Sequence, residues 1–301
     1  MNTTPCQRID FTRYVVVPIW YGCNNDCGIC MLGRLKKTLP PMGFDGFRKA
    51  LTEIRDDGRF DHLILSGAEV TTFGELEKYV RFAASLEWFK RIQIQTNGRN
   101  LSDQGYLARL VNAGINEFFL SVHGLGQVHD NTTGVTGSFA QWSAGLDNLA
   151  AFDVNVITNT VLTRQNYHGI ATLLSSLLPR RISEFHLWNY CPMEPVDTRD
   201  AVVSMKEFRS LLSELLAIVT PSGRPLVLKS FPECLSMGEP GFFDNEFPVA
   251  LLPRAFWQEF DRNKFGSCVH KEQCRAKRCW GLCAAYTARY GDERTLLHPL
   301  L

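Results

Sequence analysis

Three cysteines stand close together near the start of the chain, at Cys23, Cys27 and Cys30. Three thiolates on one short loop can hold three irons of a cubane cluster, because each cysteine binds one corner. No fourth cysteine is nearby, so the fourth iron would stay open for a substrate or a cofactor. Zinc is the alternative metal, although structural zinc sites usually take four ligands from paired Cys-x-x-Cys hooks.

Strand-like and helix-like segments alternate around and after these cysteines. The strand-like runs occupy residues 14–20, 62–65, 91–95, 117–122, 154–162 and 182–188, with apolar stripes at helical spacing between them. This alternation predicts a parallel sheet built of β-α units. Six such units fall short of a closed eightfold barrel, so we expect a partial barrel with one open side. The chemistry of such barrels lies at the carboxyl ends of the strands, which is where the cysteine loop stands.

The cysteine spacing, with Ile29 before the last thiol, resembles the signature of the radical S-adenosylmethionine (radical SAM) superfamily. The resemblance implies a [4Fe–4S] cluster held by Cys23, Cys27 and Cys30, whose open iron binds S-adenosylmethionine. It implies a partial (β/α)6 TIM-like barrel over residues 11–190. It also implies an external one-electron reductant of the flavodoxin or ferredoxin type, and cleavage of the cofactor to a 5′-deoxyadenosyl radical that abstracts a hydrogen atom.

The same resemblance assigns further cofactor contacts to the ends of the later strands. Gly67, Ala68 and Glu69 stand where the family usually has Gly-Gly-Glu, next to the methionine amino group. The other expected cofactor contacts are Ile29, Asn97, Ser121, His123, Asn159, Arg164 and Trp188. For Asn159 and Arg164 a capping amide and a solvated loop cation are the alternatives.

Two residues at these strand ends are candidates for a catalytic role. His123 would point into the barrel, although a lone inward histidine is more often a hydrogen-bonded core residue. Cys191 follows the sixth strand, where its thiol could donate a hydrogen atom, bind a cluster, or fill space as an inert buried cysteine.

A second group of cysteines lies toward the other end of the sequence. Its members are Cys234, Cys268, Cys274, Cys279 and Cys283. Such clustering makes a metal site the default interpretation. The run resembles the SPASM-like or twitch auxiliary-cluster extensions of some radical SAM enzymes. That resemblance implies a small Cys-rich domain over 191–301, whose second [4Fe–4S] cluster takes the first four cysteines as ligands and leaves Cys283 as a spare or a replacement. Zinc is the alternative here too.

Composition narrows the classes of function. The chain has 32 Lys and Arg against 31 Asp and Glu, a net charge of +1, which provides no attraction to nucleic acid or an anionic membrane. No apolar stretch is long enough to span a bilayer. Ten cysteines without a secretory signal indicate a reducing, cytoplasmic setting.

The two resemblances together predict a radical SAM enzyme with an auxiliary cluster. Enzymes of that kind often modify ribosomally made peptides, so a peptide is the favoured substrate. Only residues 1–13 precede the first strand, so we expect any peptide-binding module to come from a separate partner protein. A small metabolite such as a sugar, nucleotide or amino acid derivative, possibly in sulfur chemistry, is the alternative substrate. A non-catalytic iron–sulfur sensor or electron-transfer protein is the alternative of another class.

Overall fold

A parallel eight-stranded sheet runs through the computed structural model, which describes residues 8–236, 240–276 and 278–301. Its strands are β1 (Tyr14–Trp20), β2 (His62–Gly67), β3 (Arg91–Thr96), β4 (Glu117–Ser121), β5 (Asn155–Leu162), β6 (Glu184–Asn189), β7 (Leu226–Lys229) and β8 (Val249–Ala250). Their order is β7-β6-β5-β4-β3-β2-β1-β8. Every neighbouring pair is parallel. The predicted open α/β half-barrel is therefore confirmed, with β7 and β8 added at its two edges.

The helices are α1 (Phe44–Asp57), α2 (Leu76–Ser85), α3 (Gln104–Ala113), α4 (Gln127–Thr133), α5 (Ser138–Leu149), α6 (Ile170–Leu177), α7 (Met205–Val219), α8 (Arg254–Phe260) and α9 (Ala284–Tyr290). Helices α1 to α7 lie between the strands and pack on the outer face of the sheet, whereas α8 and α9 follow the last strand. Helix α7 begins with a capping box in which Ser204 and Glu207 satisfy each other's backbone N–H groups. Within the described ranges, no helix is long and apolar enough to cross a membrane.

The two faces of the sheet form separate cores. Alternate strand residues such as Val15, Val17 and Leu65 pack outward against the helices. The residues between them face inward and form a small core of Phe11, Tyr14, Val16, Ile64, Phe119 and Ile157. This second core fills the interior of the half-barrel.

A buried carboxylate closes the end of the barrel where the strands begin. Glu117 accepts hydrogen bonds from the Tyr14 hydroxyl at 2.8 Å, the Gln93 amide at 2.7 Å and the Asn155 amide at 2.6 Å. These partners satisfy a group that would otherwise be costly to bury. Because polar and aromatic side chains fill this end, the space for a ligand lies at the opposite, carboxyl ends of the strands.

The region beyond residue 190 extends the same sheet. Strand β7 pairs with β6, whereas β8 pairs with β1 on the far side. Between them the chain first runs beside β7, where the Asp244 N–H donates to the Leu228 carbonyl at 2.9 Å. It then runs beside β1, where the Leu251 N–H donates to the Val16 carbonyl at 2.9 Å. The chain between β7 and β8 thus passes from one edge of the sheet to the other.

Candidate functional site

The cysteine loop, residues 22–30, is held against helix α4 by its own backbone. The Asp26 N–H donates to the Thr133 carbonyl at 2.9 Å, and the Gly28 N–H donates to the Thr132 carbonyl at 3.2 Å. Gly134 ends α4 with a φ of +69°, and a Cβ there would lie 2.7 Å from the Asp26 carbonyl oxygen. Both the positive φ and this close approach require glycine. The end of α4 therefore fixes one side of the loop.

Polar side chains that follow β3 hold the other side of the cysteine loop. The Arg99 guanidinium donates to the Asn24 carbonyl and, at 2.8 Å, to the Asn25 side-chain oxygen. The Asn97 side-chain amide donates to the Asn24 side-chain oxygen at 2.7 Å. Sequence reasoning missed Arg99, although its position directly after Thr-Asn-Gly at a strand end was a usable signal. We call Asn97 and Arg99 the loop clamp.

The three thiols of the loop lie close enough to interact electrostatically. Burial raises the pKa of the Cys27 thiol to about 12, and the sulfurs of Cys30 and Cys23 contribute because adjacent thiolates repel each other. The Cys23 sulfur accepts a hydrogen bond from the Asn25 N–H at 3.3 Å. A bound cation would favour the thiolates and so release their protons.

The three thiols of this loop are not arranged to bind one metal ion together. In the part of the chain that the structure describes, no three His, Cys, Asp or Glu side chains are grouped so that one metal ion could bind them all. A cubane needs a different arrangement, because each thiolate binds its own iron and the ligands stand around the whole cluster. Three mutually interacting thiols on a clamped loop fit that requirement.

Glu69 lies at the end of β2 with its carboxylate fully engaged by the protein. It is 1% exposed. One oxygen accepts from the Thr71 N–H and from the hydroxyls of Thr71 and Thr96, and the other accepts from the Asn97 N–H at 2.6 Å. Burial raises the pKa of Glu69, and these hydrogen bonds oppose that rise. The residue expected at the methionine amino group thus also orders the end of β3.

Gly67 allows the ends of β1 and β2 to approach each other. Its φ is +134°, and a Cβ at this position would lie 1.9 Å from the Trp20 carbonyl oxygen. That same oxygen accepts a hydrogen bond from the Ala68 N–H at 2.8 Å. The glycine is therefore required by contact between two strand ends, whatever ligand lies above them.

His123 lies just beyond β4, which ends at Ser121, and is paired with a second histidine. Its Nδ1 accepts from the Val161 N–H at 3.3 Å, and its own backbone N–H donates to His129 Nδ1 at 3.1 Å. Burial lowers the pKa of His123 to about 3 and that of His129 to about 4. Both imidazoles are consequently neutral at physiological pH.

Several buried polar atoms near the carboxyl ends of β5 and β6 have no partner in the described structure. They are Asn159 Oδ1, Trp188 Nε1 and Asn189 Oδ1. Buried polar groups are normally hydrogen-bonded, so such a group indicates a missing polar partner. Asn159 stands beside Ser121 across the β4–β5 ladder, which places these residues at one end of the half-barrel. A polar cofactor bound there would supply the absent hydrogen bonds.

A cavity of about 350 Å³ opens between the cysteine loop and the segment after β6. Ile29 and Cys30 line one side of it, and Cys191 lines the other. Charged groups at Arg34, Arg199, Arg262, Glu194 and Glu259 also face it. Cavities of about 300–1,000 Å³ are typical of small-molecule sites. The structure thus brings two expected site residues, Ile29 and Cys191, to one cavity beside the cluster loop.

Cys191 contacts Cys283, which comes from the far end of the chain. The two thiols are free rather than joined in a disulfide. A hydrogen bond with Cys283, together with burial, raises the pKa of Cys191. Cys191 therefore stays protonated and shares its S–H with Cys283 while the residue lines the cavity. The Cys283 thiol is the hydrogen-bond partner of Cys191 in this pair.

Arg164 is engaged by the region beyond β6. Its guanidinium lies 3.4 Å from the Asp200 carboxylate, 3.8 Å from the Glu207 carboxylate and 3.4 Å from the Tyr290 hydroxyl. These contacts join the residue beyond β5 to the start of α7 through Glu207 and to α9 through Tyr290. In this arrangement the side chain serves ion pairs between segments, and its expected contact with the cofactor stays a prediction.

The other cysteines of the C-terminal group converge around Cys234. Burial raises the pKa of its thiol to about 11, and the nearby sulfurs of Cys279, Cys268 and Cys274 contribute. Each of the four sulfurs accepts a backbone N–H. The donors are His298 for Cys234, His270 for Cys268 at 3.4 Å, Leu300 for Cys274 at 3.3 Å, and both Glu233 and, at 3.4 Å, Gly281 for Cys279. We call these residues the four-cysteine site.

Comparison with known proteins yields one family and several relatives. A model described as the radical SAM superfamily matches residues 17–177, more than half of the chain. An AdoMet-dependent heme synthase of Methanosarcina barkeri is 25% identical over 193 residues, which cover 63% of this chain and 54% of the relative. The chain spans about half the length of this curated relative.

Solved structures share the fold at low identity. SuiB of Streptococcus suis bound to precursor peptide SuiA superposes with a TM-score of 0.62 at 17% identity, over 83% of this chain and 54% of that one. Native anSMEcpe with bound AdoMet and Kp18Cys peptide gives a TM-score of 0.61 at 15% identity, over 76% and 67%. HydG, a maturase of the [FeFe]-hydrogenase, gives 0.53 at 11% identity, over 72% and 52%.

Proposed function

The chain belongs to the radical SAM superfamily, whose enzymes bind a [4Fe–4S] cluster and S-adenosylmethionine, and from this premise we propose its site and substrate. Cys23, Cys27 and Cys30 hold the cluster, which when bound supplies one electron for reductive cleavage of S-adenosylmethionine. The resulting 5′-deoxyadenosyl radical abstracts a hydrogen atom from the substrate. The clamped loop of mutually interacting thiols is the observation that carries this proposal.

The protein's own groups bind and orient the cofactor. Ser121 and Trp188 lie at the carboxyl ends of β4 and β6, and Asn159 stands beside Ser121 in the middle of β5. The unpartnered Asn159 Oδ1 and Trp188 Nε1 suit the polar groups of S-adenosylmethionine. Ile29 supplies apolar surface on the loop side of the cavity. The buried pair His123 and His129 orders the end of β4 without adding charge. A flavodoxin or ferredoxin in the cytoplasm is the proposed electron donor.

The four-cysteine site holds a second, auxiliary [4Fe–4S] cluster in this proposal. The Cys234 sulfur lies near those of Cys268, Cys274 and Cys279, and four thiols match the number of ligands of a fully coordinated cubane. Backbone N–H donors to all four sulfurs support the assignment, because such bonds stabilise thiolate charge in iron–sulfur sites. The proposed ligand set leaves Cys283 out, which its hydrogen bond with Cys191 supports. The auxiliary cluster belongs to a C-terminal region over 191–301.

A peptide is the proposed substrate. Two fold neighbours, SuiB and anSMEcpe, are described with bound peptides, which supports this class. A separate protein would supply any peptide-binding module. The second candidate is a small metabolite, which the sequence similarity to a heme synthase favours.

Anaerobic reconstitution with iron and sulfide counting tests the cluster assignments. We expect about eight irons per chain, and 5′-deoxyadenosine after dithionite and S-adenosylmethionine are added. Cys279→Ala should lose about four of these irons, whereas the matched variant Cys283→Ala should keep them. Equal iron in both variants would overturn the auxiliary ligand set. Reduced protein that never forms 5′-deoxyadenosine would favour a sensor or electron carrier.

Substrate class is tested separately by product formation. A short cysteine- or glycine-rich peptide encoded beside this chain should raise 5′-deoxyadenosine formation and be recovered as a covalently altered peptide of changed mass. Stimulation by a small metabolite, with none from such peptides, would favour the second candidate.

A further inference from the structure

Residues 298–300 lie against the four-cysteine site, although most of the cysteines are distant from this segment in sequence. The Leu300 N–H donates to the Cys274 sulfur at 3.3 Å, and the Arg275 N–H donates back to the Leu300 carbonyl at 2.8 Å. The His298 N–H donates to the Cys234 sulfur. Leu297, which precedes the segment, is fully buried and anchors it.

The five N–H···S bonds of the site fall into two kinds. Cys268 and Cys279 each accept one from a residue two positions further along, and Cys279 accepts another from Glu233, so these three bonds come from the ligand loops themselves. Cys234 and Cys274 accept theirs from the distant segment. Two of the five bonds therefore depend on backbone that the ligand loops do not contain.

We propose that residues 298–300 form a strap that completes the auxiliary cluster site. The strap fixes the Cys234 and Cys274 sulfurs in place and shields them from solvent and solutes. Its N–H dipoles also stabilise the added negative charge of a reduced cluster, which raises the reduction potential of the auxiliary cluster. The identity of the metal rests on the proposed function above, whereas the hold on the two sulfurs does not.

The strap acts through backbone donors, so proline is the discriminating substitution. Leu300→Pro removes the N–H that Cys274 accepts, whereas Leu300→Ala shortens the side chain and keeps that N–H. The two variants lose similar apolar surface, which makes Leu300→Ala the matched control. His298→Ala controls for the imidazole, because its backbone N–H remains.

The first measurement uses the metal-free full chain. Alkylation of Cys274 by iodoacetamide is followed by mass spectrometry at several pH values, so that rates are compared per thiolate. The rate should be about tenfold faster in Leu300→Pro than in Leu300→Ala or the unsubstituted chain. Cys283, which is buried in the folded protein, should react equally slowly in all three proteins, which controls for global unfolding. Equal Cys274 rates in the two variants would overturn the strap, whatever metal the site binds.

The second measurement uses the reconstituted protein and a chelator. Leu300→Pro should lose the irons of the four-cysteine site faster than Leu300→Ala and show a lower midpoint potential for that cluster. Unchanged loss and potential in Leu300→Pro would overturn the proposed tuning role. A Cys23, Cys27 and Cys30 triple alanine variant isolates the auxiliary irons. If that variant binds no iron, the auxiliary-cluster function fails, and the alkylation result alone decides whether the strap holds the two cysteines.

Discussion

The Glu69 carboxylate accepts a 2.6 Å hydrogen bond from the backbone N–H of Asn97, which joins the end of β2 to the end of β3. The Asn97 side chain in turn donates to Asn24 in the cysteine loop at 2.7 Å. A buried carboxylate is thus connected to the cluster loop through a single residue. This short series of hydrogen bonds is a physical reason for an acid at this position besides any contact with the cofactor.

Glu69→Gln tests that connection. The glutamine amide presents one oxygen and one NH₂ group to the four donors that the carboxylate now accepts. At least one of these donors would then face the NH₂ group, which is itself a donor. We expect the metal-free protein to lose about 1–3 kcal/mol of unfolding free energy, measured by urea denaturation. Glu75→Gln, on the surface beside Lys78, is the matched control and should change stability little. Equal stability of the two variants would contradict the role of Glu69.

Arg99→Ala tests the loop clamp. The change leaves the Asn24 carbonyl and the Asn25 side-chain oxygen without their cationic donor, so the loop should open more often. We expect faster hydrogen exchange at residues 24–28 in the metal-free protein, and faster loss of iron after reconstitution. Arg99→Lys should recover part of the protection, because one ammonium can reach only part of the same acceptors. Arg109→Ala, which removes an exposed pair with Glu77, serves as the control. Unchanged exchange in Arg99→Ala would rule out the clamp.

Cys27→Ala tests the cluster loop. The variant should lose about four irons and all 5′-deoxyadenosine formation, because two thiolates remain to hold a cluster that needs three. Its far-ultraviolet circular dichroism should match that of the unsubstituted chain. Cys191→Ala, which removes a thiol outside the loop, should keep its iron. Cleavage retained in Cys27→Ala would refute the ligand assignment.

Buried histidines make stability depend on pH. The pKa of His129 is lowered to about 4 and that of His123 to about 3, against about 6.5 in an unfolded chain. The unfolded chain therefore binds more protons than the folded one below about pH 6.5. Stability should be constant with respect to these groups above that pH and should fall as the pH drops toward 4, by about 1.4 kcal/mol per pH unit for each histidine.

His129→Gln checks this dependence. The glutamine oxygen can still accept the His123 N–H but takes up no proton. The slope of unfolding free energy against pH, on the acid side, should therefore decrease by the contribution of one histidine. Urea denaturation of the metal-free protein at several pH values measures the slope. His168→Gln, at an exposed position, is the control. An unaltered slope in His129→Gln would show that another group causes the acid loss.

The sequence allowed the half-barrel and the first cysteine loop to be predicted, because both are local patterns. Alternating strand and helix periodicity needs only neighbouring residues, and the spacing of Cys23, Cys27 and Cys30 is carried by one loop. Strand β8 could not be predicted, since two residues, Val249 and Ala250, are too few to show alternation. It forms because β1 presents a free edge.

Contacts between residues that are distant in sequence could not be predicted, for a different reason. Arg99 and Asn24 meet only because β1 and β3 end at the same rim of the barrel. Cys283 pairs with Cys191 because α9 packs against the segment after β6. Spacing along the chain gives no information about such contacts, whereas the choice of Cys234 with Cys268, Cys274 and Cys279 followed from a family pattern. The structure brings those four thiols together, and their role as ligands stays a prediction.

The course of the chain from β7 to β8 links residues 11–190 and 191–301 through one sheet, which limits how the two regions can change independently. The region after β6 supplies the strands at both edges of the sheet. Replacing it with an unrelated extension would leave the backbone of β1 and β6 unpaired. Exposed edges of that kind recruit other chains and aggregate. Diversification of this scaffold is therefore expected to proceed by change within loops, such as the stretch that carries Cys268 to Cys279, while both border strands are kept.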